Sequence, residues 1–379
     1  MDDADLRSQR ILIVEPRFRG HLLVYVRLVA ERALARGAHV TVALGPGAAE
    51  SREYGTHLAS ILDKVDAVAA PEVLTARTVN ELARSVTCDL VVVPHGDELA
   101  AQMGAPWSPG LAVPTRLLIM RDPRWDEHVG ARRAVRNLLK LFLLMLASRR
   151  HNALVTWLRG PLFTPSKPLD HVVDPFIADE QIDVIRSEAA ALRASFTADE
   201  SVFWFAVTGA VSRRKNLDIV AAGLRSLRER RHELKLGLAV VGPIDADVLQ
   251  DFEDAQRTLS TAGVRVHFDD RLLTNREMNV VVAAVDAVVM AYDTGAPNST
   301  LGKAYVLGTK IVSAGSKTFR AYAEALGGVT APLESAPLSQ AMERAYEQDE
   351  RVPHPGALGS AAFADGLLQG ITTVGSETA

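Results

Sequence analysis

Short, unbroken apolar runs recur along the chain, and polar or glycine-rich loops separate them from stretches with helical spacing. A run of this kind with no alternation reads as a strand buried on both faces, as in a parallel sheet. In the first half such runs lie at residues 11–14, 40–44, 90–93 and 115–120, with a weaker one at 65–69. Helical spacing covers 22–36 and 78–86. The first strand, a loop bracketed by Pro16 and Gly20, a helix and a second strand compose a βαβ crossover. No Gly-x-Gly-x-x-Gly follows that first strand, which disfavours a nicotinamide dehydrogenase.

The second half alternates more cleanly. Strands are expected at 202–207, 236–241, 264–268, 287–291 and 310–313, with a short last one at 328–330. Helices are expected at 217–231, 246–259, 275–284 and 300–307, and Thr274 with Glu277 fits a capping box at the third of these. Such alternation predicts an α/β chain of two doubly wound, Rossmann-like domains facing a central cleft. The proline-rich stretch 164–175 loses periodicity and reads as a linker. The expected division is 1–170, 171–355 and a C-terminal helical tail, 356–379, packing back on the first domain.

Composition narrows the function classes. A chain of 379 residues is long enough for two cores, and its net charge of −4 argues against a dedicated nucleic-acid binder. The single cysteine, Cys88, has no partner for an internal disulfide. The acidic start, Met1-Asp2-Asp3, lacks a signal-peptide pattern, and no apolar run reaches the ~18 residues of a membrane span. A cytoplasmic protein is expected, with peripheral membrane contact as one further reading. That reading rests on 132–146, where Arg132, Arg133, Arg136 and Lys140 run into an apolar stretch. The same pattern fits a buried helix with a solvated basic face, a surface that docks on anionic lipid, or one side of an acceptor site. No Cys-x-x-Cys, His-Glu-x-x-His or Gly-x-Ser-x-Gly appears, so no metal, no cofactor and no hydrolase elbow is expected.

Two loops carry the candidate chemistry. Thr208-Gly209-Ala210-Val211-Ser212-Arg213-Arg214-Lys215-Asn216 follows one strand, and Ala296-Pro297-Asn298-Ser299-Thr300-Leu301-Gly302-Lys303 opens a helix. A helix start offers unpaired N–H groups and a partial positive charge. With Arg213, Arg214, Lys215 and Lys303 close by, the pair suits a diphosphate. On the other half, ligands of an open α/β sheet collect beyond the strand carboxyl ends. His95, Asp97, Arg121, Asp122 and the Arg19-Gly20-His21 loop lie there. His21 reads equally well as a residue that caps or packs at the first helix.

The second half resembles the family-four retaining glycosyltransferases of the GT-B fold. The likeness rests on Gly209 to Asn216, on Gly242-Pro243, and on Asn298-Ser299-Thr300 through Gly308-Thr309 to Ile311-Val312. It implies transfer of a sugar from a nucleotide-sugar donor to an unknown acceptor hydroxyl, with retention. It places Lys215, helped by Arg213 or Arg214, and Asn298, Ser299, Thr300 and Lys303 on the diphosphate. Gly242, Leu272, Leu273 and Glu277 would face base and ribose, His95, Arg121 or Asp122 the sugar, and Gly20 and His21 the acceptor. Two departures stand out. The paired glutamates of the family fall at Gly295 and Lys303, and the arginine after the loop glycine is Ala210. An epimerase of the same fold, or a silent nucleotide-sugar-binding protein, fits the same pattern.

Overall fold

The computed structural model describes residues 6, 8–18, 22–120, 123, 131–160, 170–177, 181–293, 299–354 and 358–369. Two parallel sheets organise them. The N-terminal sheet has the order β3-β2-β1-β4-β5-β6-β7. Its strands are β1 (Arg10–Glu15), β2 (His39–Leu44), β3 (Asp66–Ala69), β4 (Leu90–Val93), β5 (Thr115–Ile119), β6 (Ala153–Arg159) and β7 (His171–Val173). The C-terminal sheet has the order β10-β9-β8-β11-β12-β13, from β8 (Phe203–Thr208), β9 (Leu236–Val241), β10 (Arg265–Asp269), β11 (Ala287–Tyr292), β12 (Lys310–Gly315) and β13 (Val329–Ala331). The unbroken apolar runs are the central strands: Leu90 to Val93 are all buried, as are Ala287 to Tyr292. Burial on both faces explains why these strands show no alternation.

Each sheet reverses its winding once, between β1 and β4 and between β8 and β11. At such a switch point the loops on the two sides diverge and leave a crevice beyond the strand ends. On the N-terminal sheet, α1 (Leu22–Ala35) and α2 (Arg52–Leu58) cover one face. On the other lie α3 (Ala76–Val86), α4 (Asp97–Met103) and α5 (Ala131–Ala147). The C-terminal sheet is covered by α7 (Leu217–Arg230), α8 (Leu249–Thr261) and α12 (Ser335–Glu347) on one side. Its other face carries α6 (Ile182–Phe196), α9 (Asn275–Ala284), α10 (Ser299–Leu307) and α11 (Lys317–Ala325). Thr274 and Glu277 form the capping box expected at the start of α9.

Part of the stretch read as a linker is sheet: β7 pairs with β6, three residues past the boundary at 170 that the loss of periodicity suggested. The chain crosses to the second lobe just after it, through Asp174 to Ile177. It returns alongside, and the Phe176 N–H donates to the Leu358 carbonyl at 2.8 Å. The last helix, α13 (Ser360–Leu368), joins the N-terminal core. Phe363 packs on Tyr25 with ring centroids 5.1 Å apart, and Asp365 pairs with Arg32 and Arg36. No described helix is long and apolar enough to cross a membrane.

Candidate functional site

A cavity of about 360 Å³ opens at the switch point of the C-terminal sheet, between the two lobes. Its floor is the loop after β8. Gly209 takes a φ of +75°, and the Gly209 N–H donates to Val241 O at 2.9 Å. Gly242, at the end of neighbouring β9, has a φ of +132°, and a Cβ there would come within 2.7 Å of the Gly209 carbonyl carbon. Two backbones thus touch where only glycine fits, which sets the shape of the floor. Beyond Gly209 the chain makes a single 3₁₀ turn, Arg213–Lys215, closed by Asn216 in the left-handed region at φ 45°. Asparagine tolerates that conformation, and the Asn216 side chain anchors it by donating to Ala291 O at 2.9 Å.

That turn sends its cations in different directions. Lys215 swings inward and is 4% exposed, its amine donating to Thr208 O and, at 2.8 Å, to Gly209 O. Burial, aided by the charge of Arg214, pulls its pKa from 10.5 down to about 7. Arg214 lines the cavity with its guanidinium 5.5 Å from the Tyr292 ring centre. Arg213 leaves the site: it pairs with Asp247 at 3.0 Å on the surface. Ser299 and Thr300, the first residues of α10, close the opposite wall, and the Thr300 and Thr208 hydroxyls lie 3.4 Å apart. Leu272, Leu273 and Met278 supply apolar surface to the lining, with Thr274 and Asn275 between them.

Lys303 sits beneath this wall, 1% exposed. Its ammonium donates to Asn275 Oδ1 at 2.9 Å and Asn279 Oδ1 at 2.5 Å, and both asparagine amides donate onward to the Ile177 carbonyl in the crossover. Asp174, also in the crossover, accepts from the Tyr25 hydroxyl of α1 at 2.7 Å. Burial raises the Asp174 pKa to about 6, opposed by the Tyr25 hydrogen bond and the Lys303 charge. A buried lysine where the resemblance expects a ribose-binding carboxylate therefore takes part in fastening α1, the crossover, α9 and α10 together.

From the N-terminal lobe, Val24 of α1 and Glu53 and His57 of α2 line the cavity. His57 is 8% exposed, and burial lowers its pKa. Glu15, at the carboxyl end of β1, is fully buried. Desolvation pushes it up to about 8, so it is a neutral acid at pH 7, and its Oε2 has no partner among the described residues.

Of the residues expected from sequence, the structure gathers Arg214, Lys215, Ser299, Thr300, Lys303, Gly242, Leu272 and Leu273 around one cavity. It does not bring Arg213 there, because the short turn aims adjacent side chains apart. Glu277 is not among the lining residues either: its carboxylate caps α9 and pairs with Arg271. His95 stands half-buried after β4, also away from the lining. Asp97 turns inward, accepting from the Met120 N–H at 2.8 Å and from Lys140 at 3.0 Å. Gly20, His21, Arg121, Asp122 and Asn298 lie outside the described residues. Sequence reasoning missed Glu53, His57 and Glu15. The usable signal for the first two was their spacing of four behind the Gly45-Pro46-Gly47 loop, which places them on one helical face.

No protein-family model matches the sequence, and no curated protein does. Solved structures do match in shape. One is HepE from Anabaena in complex with UDP and glucose, at 13% identity and a TM-score of 0.59, covering 95% of this chain and 94% of that one. The sucrose-phosphate synthase of Thermosynechococcus elongatus matches equally, at 13%, 0.59, 95% and 94%. WaaG, a glycosyltransferase involved in lipopolysaccharide biosynthesis, matches at 16% and 0.56, with 94% of both chains covered. The fold is thus the two-lobed, Rossmann-like GT-B arrangement.

Proposed function

We propose that this chain is a glycosyltransferase that moves a sugar from a nucleoside-diphosphate donor to an acceptor hydroxyl. One observation carries the reading: two touching glycine loops, an inward lysine, Arg214 and the start of α10 converge on one cavity at the switch point. Its volume of about 360 Å³ is within the range of small-ligand sites. The diphosphate lies across Gly209 toward Ser299 and Thr300, where helix N–H groups and the helix dipole favour negative charge. The base rests on Leu272 and Leu273. UDP is the first donor nucleotide to test, since the fold neighbour HepE was solved with UDP.

Lys215 supplies a switchable charge. A neutral amine has two hydrogens, and both are donated to the carbonyls of Thr208 and Gly209. Protonation adds a third, available to a phosphate oxygen. As the bond between the anomeric carbon and the diphosphate oxygen breaks, its electron pair moves onto the diphosphate. Lys215, Arg214 and the helix end hold that charge. The acceptor oxygen then bonds the anomeric carbon and releases its proton to the leaving diphosphate oxygen or to solvent. Same-face attack, hence retention, is the stereochemistry proposed. Glu53 and His57 face the sugar side, and no metal or cofactor is called for.

A thermal-shift panel of UDP-, GDP-, ADP- and dTDP-sugars tests this, followed by donor hydrolysis and transfer assays. The expected result is a raised melting temperature for one nucleotide series, lost in Lys215→Ala. Equal binding by Lys215→Ala, or no stabilisation by any donor, would overturn it. Tight binding with neither hydrolysis nor transfer would instead identify a silent binding protein.

A further inference from the structure

The structure leaves one helix bare. On α5, Val135, Leu138, Leu139, Phe142 and Met145 are between 51% and 66% exposed, at a spacing that puts all five on one face. The opposite side is anchored: Leu144 and Ala147 are buried, and Lys140 pairs with Asp97. The reading of this segment as a buried helix is thereby overturned. The exposed Val73, Val184 and Val352 lie on separate parts of the chain, whereas these five share one helix face. Trp107, 85% exposed, extends the patch; it shares an open groove with Leu143 of α5 and with Arg77.

Charge identifies the partner. The helix has no acidic residue, and exposed Arg132 and Arg136 lie one turn apart on the flank of the apolar face, with exposed Arg149 just past its end. We propose that this face docks on an anionic lipid bilayer, the helix lying in the plane of the interface. The apolar stripe enters the acyl boundary, the arginines meet lipid phosphates, and Trp107 takes the interfacial level where indole rings are favoured. Asp97, which holds Lys140, also accepts from Met120 at the end of β5. The docked helix is therefore tied to the carboxyl rim of the N-terminal sheet, the rim that faces the cleft. Docking needs no donor and stands apart from the transfer reading.

Sedimentation of the full chain with vesicles tests it, comparing pure phosphatidylcholine with vesicles containing about 30 mol% phosphatidylglycerol as the anionic lipid. Binding is expected to the anionic vesicles and to weaken with salt. Arg132→Gln and Arg136→Gln should each weaken it roughly 5-fold. Leu139→Asp with Phe142→Asp should abolish it at an unchanged melting temperature, since these side chains are already exposed. Absence of binding to anionic vesicles, or equal binding by the double variant, overturns the proposal. So does a dimer that the double variant breaks while vesicles fail to bind, which would make the occupant a second copy.

Discussion

The two lobes share one sheet plan but meet the cavity with opposite chemistry. The C-terminal rim presents contacting glycine backbones, Arg214, Lys215 and a helix start. The N-terminal rim buries two of its acids: Glu15 is held neutral, and Asp97 is tied to Lys140. Among the described residues it adds only Val24, Glu53 and His57 to the lining. On the proposed reading the C-terminal half holds the anion, while the N-terminal half brings Glu53 and His57 to the same lining. The lobes are fastened by Tyr25, Asp174, Lys303 and the two asparagines on Ile177 O, so the division of labour depends on a polar joint.

Breaking the anion side should have the largest effect. Gly242→Ala places a Cβ against the Gly209 backbone at a φ of +132°. It should destabilise the fold by about 1–3 kcal/mol of strain, read as a lower melting temperature, and reduce donor affinity on the order of 100-fold by calorimetry. A variant that kept both would show that the floor is not set by this contact.

Breaking the joint comes next. Lys303→Met removes the cation shared by Asn275, Asn279 and Asp174, and should cost about 2–3 kcal/mol in chemical denaturation. The loss should be smaller in the presence of Asp174→Asn, because that pair shares one network. Equal losses with and without Asp174→Asn would show the two residues to be independent.

The neutral acid on the other lobe gives a pH signature. The Glu15 pKa lies at about 8 folded, against 4.5 ordinarily. Between those values the folded state holds a proton that the unfolded state has released. Its contribution to stability is present below about 4.5 and is lost as pH rises through about 8. Glu15→Gln, which mimics the protonated acid, should flatten the decline in stability from pH 5 to 8. An unchanged slope would remove Glu15 as its source. The mildest expected effect on donor binding is that of His57→Gln: nucleotide affinity should stay near wild type while transfer falls. A large loss of affinity would move His57 to the anion side.

Legibility from sequence followed the same division. The side proposed for the diphosphate is local: Gly209 to Asn216 and the start of α10 are contiguous stretches, and a loop followed by a helix start can be read directly. Direction within such a loop cannot, which is why Arg213 and Arg214 looked alike. The N-terminal side is assembled from separated pieces. His57 was hidden because α2 is short, polar and interrupted by Gly55, and β6 because Thr156 and Arg159 break its apolar run. Lys303 could be placed near the phosphate helix, but its partners at 174, 275 and 279 are brought to it by the fold alone.

The central claim is that the cavity grips a diphosphate. Calorimetric titration of UDP and of uridine against the wild-type protein tests it most directly. UDP should bind on the order of 100-fold more tightly, and its affinity should fall as pH rises above about 7, where free Lys215 loses the proton an anion needs. Equal affinities for UDP and uridine, with no dependence on pH, would contradict it.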